Sequence, residues 1–309
     1  MAKILMLAGA IVFAGGLALA IVFLQPILNR FHFFPRQAAA LEALRNQWAS
    51  TTLDDGWPEF RGAMHNHSEL SHDSIITFPE VASAARQAGL DFIFMSDHCI
   101  DGKADFGLGW EGQHDGICFV RGYEMRDGLF PWGLPEGVVL DNKEKPEALA
   151  TQIQQLGGLL FIGHCEQKRP WELPQIDGME IYNLHVDAHS HSVWDLLANG
   201  ILSYSRYPEQ TMRLVFRRPT DFLSRWDALN AERDIVGIGA TDAHQNIGIR
   251  GFYTESDQFV VMGTDDDEEI LRWRLNAVSR PLLRALWGPL EPGQKLFQRD
   301  FIPYGMALR

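Results

Sequence analysis

The chain has 309 residues and carries 27 Lys plus Arg against 40 Asp plus Glu, a formal net charge of −13. That balance repels a phosphate backbone and argues against a long nucleic-acid partner, while a small phosphorylated substrate held by local positive groups remains compatible with it. Three cysteines, Cys99, Cys118 and Cys165, are an odd number in a chain long enough to build its core without disulfides, so they read as small apolar packing residues.

Ile4 to Leu24 is a run of 21 residues with no charged or strongly polar side chain. At about 1.5 Å per residue a helix over it spans roughly 30 Å, the thickness of a bilayer core. Residues 1–36 therefore read as one N-terminal transmembrane helix and its flank, with the lipid bilayer as partner. A cleaved signal peptide is the rival, since Ala18-Leu19-Ala20 resembles a small-residue cleavage site, but the apolar run continues past that point. The short N-terminus with Lys3 favours the amine inside and the remaining domain on the extracytoplasmic side of the membrane.

Residues 37–59 read as a linker helix, QAAALEALRNQW, followed by a polar approach, ASTTLDDGWPE. Residues 60–287 are then one globular unit of the size usual for a β/α barrel. Within it, RGAMHNHSELSHDS places His65 and His67 at i and i+2, on one face if the segment is a strand. GLDFIFMSDH ends in Asp97 and His98, GICFVRGYE in Glu124, GGLLFIGH in His164, and IVGIGATDAH in Asp242 and His244. Five strand-like runs each deliver a metal-type ligand at or just past the C-terminal end. Helix-like segments, FPEVASAARQAG and KPEALATQIQQLG, lie between them. In barrels of parallel strands active sites assemble at that end, and a buried polynuclear metal site is the economical explanation of the pattern.

These motifs, HNH, SHDS, GLDFIFMSDH, GYE, GGLLFIGH, MEIYN and GATDAH, resemble in this order the PHP (polymerase and histidinol phosphatase) superfamily of metal-dependent phosphoesterases, over roughly residues 60 to 250. The resemblance implies a distorted (β/α)7 barrel of the α/β class holding two or three divalent ions, commonly zinc, manganese or iron. It implies that His65, His67, Glu124 and Asp242 bind one ion, that Glu124 bridges to a second held also by His164, and that Asp73, His98 and His244 bind the third. His72 is the alternative to Asp73 in the same turn. Glu180 and Asn183 would line the site, and Asp97 would orient a ligand imidazole.

Three positions depart from the family pattern. Ala63 stands where many members have Asp, no His lies between Glu124 and His164, and Cys165 replaces the usual Pro. The second ion would then be completed by water, by Asp127 or Asp141, by a downstream His such as His185, or be absent. The second His-X-His, His189 and His191, leads into the helix-like VWDLLANG, where i and i+2 diverge, so it reads as a non-ligand. His32 and His114 read as bystanders. Imidazole and carboxylate donors suit zinc, manganese and iron without a thiolate.

Lys168 and Arg169 shortly after His164, and Arg250 after GATDAH, are candidates for gripping a phosphate by charge-assisted hydrogen bonds. Further on, DDDEEILRWRLNAVSR has an acidic start and a basic end and reads as a solvated helix. Residues 288–309, with Pro289, Pro292 and Pro303, read as an extended C-terminal tail on the barrel or membrane surface. The expected activity is hydrolysis of a small phosphomonoester by a metal-activated hydroxide, with Glu124, Asp242 and Asp97 as its catalytic carboxylates. The alternatives are phosphodiester or other metal-dependent hydrolysis on the same scaffold, and a non-catalytic membrane-bound module that binds metal or ligand.

Overall fold

The apolar runs become short strands, and their order decides everything that follows. A computed structural model describes residues 16, 23–47, 56–189, 193–264 and 269–308. In chain order the first strands are β1 (Gly62–Asn66), β2 (Phe92–Met95), β3 (Asp97–His98), β4 (Lys103–Asp105), β5 (Gly112–His114), β6 (Ile117–Val120), β7 (Tyr123–Glu124) and β8 (Leu129–Trp132). They are followed by β9 (Val139–Asp141), β10 (Leu159–Ile162), β11 (Gly178–Asn183), β12 (Val236–Ala243), β13 (Ile247–Tyr253), β14 (Gln258–Gly263), β15 (Glu269–Arg274) and β16 (Lys295–Ile302). The chain divides into two compact units, one of residues 1–58 with 186–218 and the other of 59–185 with 219–309.

The larger unit is an α/β fold around an eight-stranded mixed sheet of order β5-β6-β2-β1-β12-β11-β10-β8. From β6 to β10 all neighbours are parallel, whereas β5 and β8, at the two ends, pair antiparallel to their neighbours. Phe94 of β2 and Trp132 of β8 lie five places apart, about 24 Å on a flat sheet. Their rings nevertheless meet edge to face at 5.2 Å between centres, so the sheet is strongly curled. Phe130, Trp132, Phe161 and Ile238 fill the interior with Met64, Phe94 and Val120 against them, and the Trp132 indole donates to Met95 O at 2.6 Å.

The expected closed barrel is not formed as a closed ladder. Each end of the sheet is an antiparallel strand, β5 in a hairpin with β6 and β8 alongside β10 after a long connection, and the ladder does not run on from β5 to β8. A single antiparallel bridge, Gly122 with Trp132, joins the segment after β6 to β8.

The two expected helices appear as Phe78–Ala88 and Pro146–Gln155. The first buries Phe78, Val81, Ala82 and Ala85, the i, i+3, i+4, i+7 stripe of an amphipathic helix, against Ile93, Met95, Ile117 and Phe119. Glu80 reaches back to the Thr77 amide and hydroxyl at its start, and Gly89 at φ 73° closes its end in the left-handed conformation.

Two expectations change at the C-terminal end. Part of the segment read as a solvated helix is strand β15, paired antiparallel with β14, and the helix begins only at Ser279 and runs to Trp287. Alternation of Ile270, Arg272 and Arg274 against Leu271 and Trp273 fits a pleat, and pairing outweighed the end charges. The extended tail is β16, which pairs along β13 in a four-stranded sheet of order β15-β14-β13-β16.

In the smaller unit the linker helix is longer than expected and runs as Phe34–Gln47 from a π-turn at Asn29–Phe33. Pro35 lacks an amide hydrogen and crowds the turn before it, which accounts for the widened geometry there. The expected membrane span Ile4–Leu24 lies almost wholly outside the described residues. Among the described residues no helix is long and apolar enough to cross a membrane.

Candidate metal centre

Because β1, β2, β6, β10, β11 and β12 run parallel, their C-terminal ends share one edge, and the side chains just past each end converge. All eight expected ligands meet there, in two groups of four: His65, Glu124, His164 and Asp242, and His67, Asp73, His98 and His244. The ideal pleat does not place them. β1 shifts register between Met64 and Asn66 against both neighbours, and His65 has φ 62°; His164 and Asp242 also have positive φ, 49° and 51°. Left-handed backbone at three non-glycine residues of one site is strain that the surrounding packing sustains.

The first group is closely spaced. His65 Nε2 lies 3.2 Å from Glu124 Oε2 and 3.1 Å from Asp242 Oδ1, and His164 Nε2 lies 3.0 Å from Glu124 Oε1 and 3.6 Å from Asp242 Oδ2. In the second group His98 Nε2 and His244 Nε2 lie 2.9 Å and 3.3 Å from Asp73 Oδ2. His67 Nε2 stands between the groups, 3.3 Å from Asp242 Oδ1 and 3.6 Å from Glu124 Oε2. Two ligand atoms bound tetrahedrally at about 2.1 Å from one ion are roughly 3.4 Å apart, which is the spacing seen here. Not only Glu124 but also Asp242 spreads its two oxygens over several imidazoles. Either carboxylate can be shared between neighbouring ions.

Two polar atoms test whether metal fits. His67 Nε2 and Asp73 Oδ1 are buried with no hydrogen-bond partner among the described residues. Leaving such groups unsatisfied is costly; His67 Nε2 faces the Asp242 and Glu124 carboxylates and Asp73 meets His98 and His244 through its other oxygen, so a divalent cation among these donors would satisfy them.

Outer residues set the tautomers. Glu180 binds His65 Nδ1 and accepts the His164 amide at 2.7 Å, leaving Nε2 of His65 for the cluster. Ser71 Oγ lies 3.0 Å from His67 Nδ1, accepts the His98 amide at 2.8 Å and donates to Asp97 Oδ1 at 3.1 Å. Asp97, expected to orient an imidazole, thus does so through Ser71, and it also holds the Ser68 amide and hydroxyl. Asn183 Nδ2 donates to Asp242 Oδ2 at 3.2 Å.

Electrostatics match a cation site. Burial resists charge on Glu124, but His164 and His65 outweigh it and hold the carboxylate well below its usual range; His65 and His67 do the same for buried Asp242. Burial likewise opposes protonation of His65 and His164, yet Asp242 and Glu180 raise the first well above the usual value, and Glu124 and Glu166 raise the second to about 10. His67 is pushed down to about 4 by burial and by the charge of His244. Burial pushes Asp97 up to about 6 against its serine hydrogen bonds. Protons on the imidazoles balance the carboxylates where a cation would do so, and a bound cation would take their place.

The open alternatives resolve by position. Asp73 joins the second group, while exposed His72 packs its ring on His98 at 4.7 Å. Asp127 pairs with Arg126 and Asp141 with Lys103, so neither joins a group. The His185 ring lies 5.4 Å from that of His244, at the edge of the cluster. The side chain of His189, and His191, lie outside the described residues. His114 stacks on Trp110 and His32 bonds to Arg36, and neither is a member of the two groups.

Arg169 is committed in part to backbone, its Nε donating to Gly163 O at 2.8 Å and His164 O at 3.1 Å, so it braces the His164 turn. Lys168 is exposed, and Arg250 lies in β13 with its guanidinium over the Phe252 ring. Sequence reasoning missed Ser68 and Ser71, whose hydroxyls carry no signal in a polar turn. It also missed Glu166, whose Oε1 lies 3.2 Å from His164 Nδ1 and whose spacing of two residues from that His was the available clue.

No family model and no curated protein matches the chain.

Proposed function

We propose that the chain is a membrane-anchored, metal-dependent phosphoesterase of the PHP type, hydrolysing a small phosphomonoester. One observation carries the reading: eight imidazole and carboxylate side chains meet at one sheet edge, with Glu124 and Asp242 each touching several of them. The curled sheet with helices packed outside it suits a distorted barrel of that type, and the order of motifs along the chain supports the family.

His65, His67, Glu124, Asp242 and His164 would hold two divalent ions, and Asp73, His98 and His244 a third. Such ions supply a water of lowered pKa and polarise a phosphoryl oxygen. Glu124 and Asp242 fix the separation of the imidazole groups. Glu180 and Ser71 hold His65 and His67 with Nε2 turned inward, and Asp97 fixes Ser71. His164 and Arg169 shape the turn after β10, where a phosphate oxygen would enter beside the exposed Lys168.

The test is a substrate screen on the purified full-length chain in detergent, supplied with zinc, manganese or iron(II). Release of inorganic phosphate from small phosphomonoesters is expected. Turnover of diesters alone would move the reading to a phosphodiesterase, and tight metal retention with no turnover of any ester would make it a binding module.

A further inference from the structure

The helix entering the smaller unit buries an amide side chain and exposes a row of large apolar ones. At the π-turn Asn29–Phe33, between buried Pro26 and Phe34, the polar Asn29 is 6 % exposed, donates to Asn199 Oδ1 at 2.8 Å and accepts from Gln25 Nε2 at 2.9 Å. The outward residues are Leu24, Ile27, Leu28 and Phe31, 57 %, 45 %, 39 % and 75 % exposed. They recur at i, i+3, i+4 and i+7, a continuous stripe on one face. A surface helix in water buries that stripe and exposes the asparagine. In lipid the arrangement is the ordinary one, with polar side chains bonding between helices and apolar ones facing the acyl chains.

We propose that this stripe is a lipid-contacting surface: the bilayer boundary lies at Phe31 and Phe33 rather than at Leu24, and the helices of residues 193–212 clasp the inward face of the emerging helix at the membrane interface. The inference rests on the reading of Ile4–Leu24 as a membrane span, and extends it by about two turns. Continuity is the argument for lipid over a protein partner, since the apolar run of the sequence ends at Leu24, where the exposed stripe begins, and no charged residue follows until Arg30. The flanks also suit an interface. Arg30 sits over the Tyr207 ring at 5.2 Å and Phe34 packs on the same ring at 6.2 Å, so the basic residue and the aromatic clasp lie at the end of the stripe.

The probe is a phospholipid bearing a photoreactive group at mid-acyl depth, in phosphatidylcholine and phosphatidylglycerol vesicles carrying the full chain. Trypsin cuts after Lys3, Arg30 and Arg36, so the span and the boundary fall in separate peptides, residues 4–30 and 31–36. Adducts are expected on both peptides, and in the first of them on residues 24–30 as well as before. Phe31→Glu should lower labelling of peptide 31–36 several-fold and leave residues 4–23 labelled. Adducts confined to residues 4–23 would overturn the proposal while keeping the anchor. A chain-to-chain adduct from a photoreactive side chain at position 31 would replace lipid with a second copy. Absence of adducts on both peptides, with protein released by carbonate, would instead defeat the membrane span itself.

Discussion

The imidazoles of His67 and His244 lie face to face, ring centres 4.3 Å apart and planes within 8° of each other. Both are buried, so two positive charges at this separation would be strongly unfavourable, and burial together with His244 drives the pKa of His67 down to about 4. His67 is thereby held as a neutral imidazole, with its Nδ1 on Ser71 and its Nε2 facing Asp242 and Glu124.

From this pairing follows the metal content. The full-length chain purified under mild conditions should carry at least two divalent transition-metal ions by elemental analysis. Glu124→Ala should lose more than one of them, because its two oxygens face separate imidazoles, His164 on one side and His65 on the other. Saturation at one ion or fewer would contradict the polynuclear site.

Removing ligands should abolish turnover. His65→Ala, Glu124→Ala and Asp242→Ala are each expected to lower phosphomonoester hydrolysis by more than about 100-fold, the upper end of what residues that only orient a ligand contribute. Cys99→Ser and Cys165→Ser should retain most activity. Burial, with Glu124 beside it, pushes the Cys99 thiol up to about 12, so it is no thiolate at neutral pH. A dead Cys variant that kept its metals would point to covalent catalysis.

Ser71 should matter although it touches no expected substrate. Ser71→Ala removes the bonds to His67 Nδ1, the His98 amide and Asp97 together, and a loss of about 10- to 100-fold in metal affinity is expected from a chelator competition. Affinity unchanged, with activity unchanged, would reduce Ser71 to a turn residue.

The helix Phe78–Ala88 offers a pH-dependent check on stability. The Thr77 amide and hydroxyl bonds hold the Glu80 carboxyl below its usual pKa, so their contribution is complete at neutral pH and fades as pH falls through that lowered value. Glu80→Gln should therefore lower the unfolding midpoint at pH 7, with the difference from the parent shrinking in acid. Thr77→Ala should cost about 1 kcal/mol.

What the sequence determined by itself was the donor set and its approximate addresses. Apolar runs closed by His, Asp or Glu marked strand ends, because a buried strand must be apolar and only its end can present a charged ligand. Seven of the eight residues in the two groups were legible for that reason, as were the helices Phe78–Ala88 and Pro146–Gln155, whose periodicity is local. Tertiary structure decided what depends on distant partners. Asp73 rather than His72 enters the cluster because His98 and His244, far along the chain, meet it there. The sheet stays an open ladder because antiparallel strands β5 and β8 occupy its ends, and β15 is a strand because β14 lies beside it. Asp97 acts through Ser71, and His65 turns inward at a register shift, since hydrogen-bond partners and backbone strain are set by packing across strands.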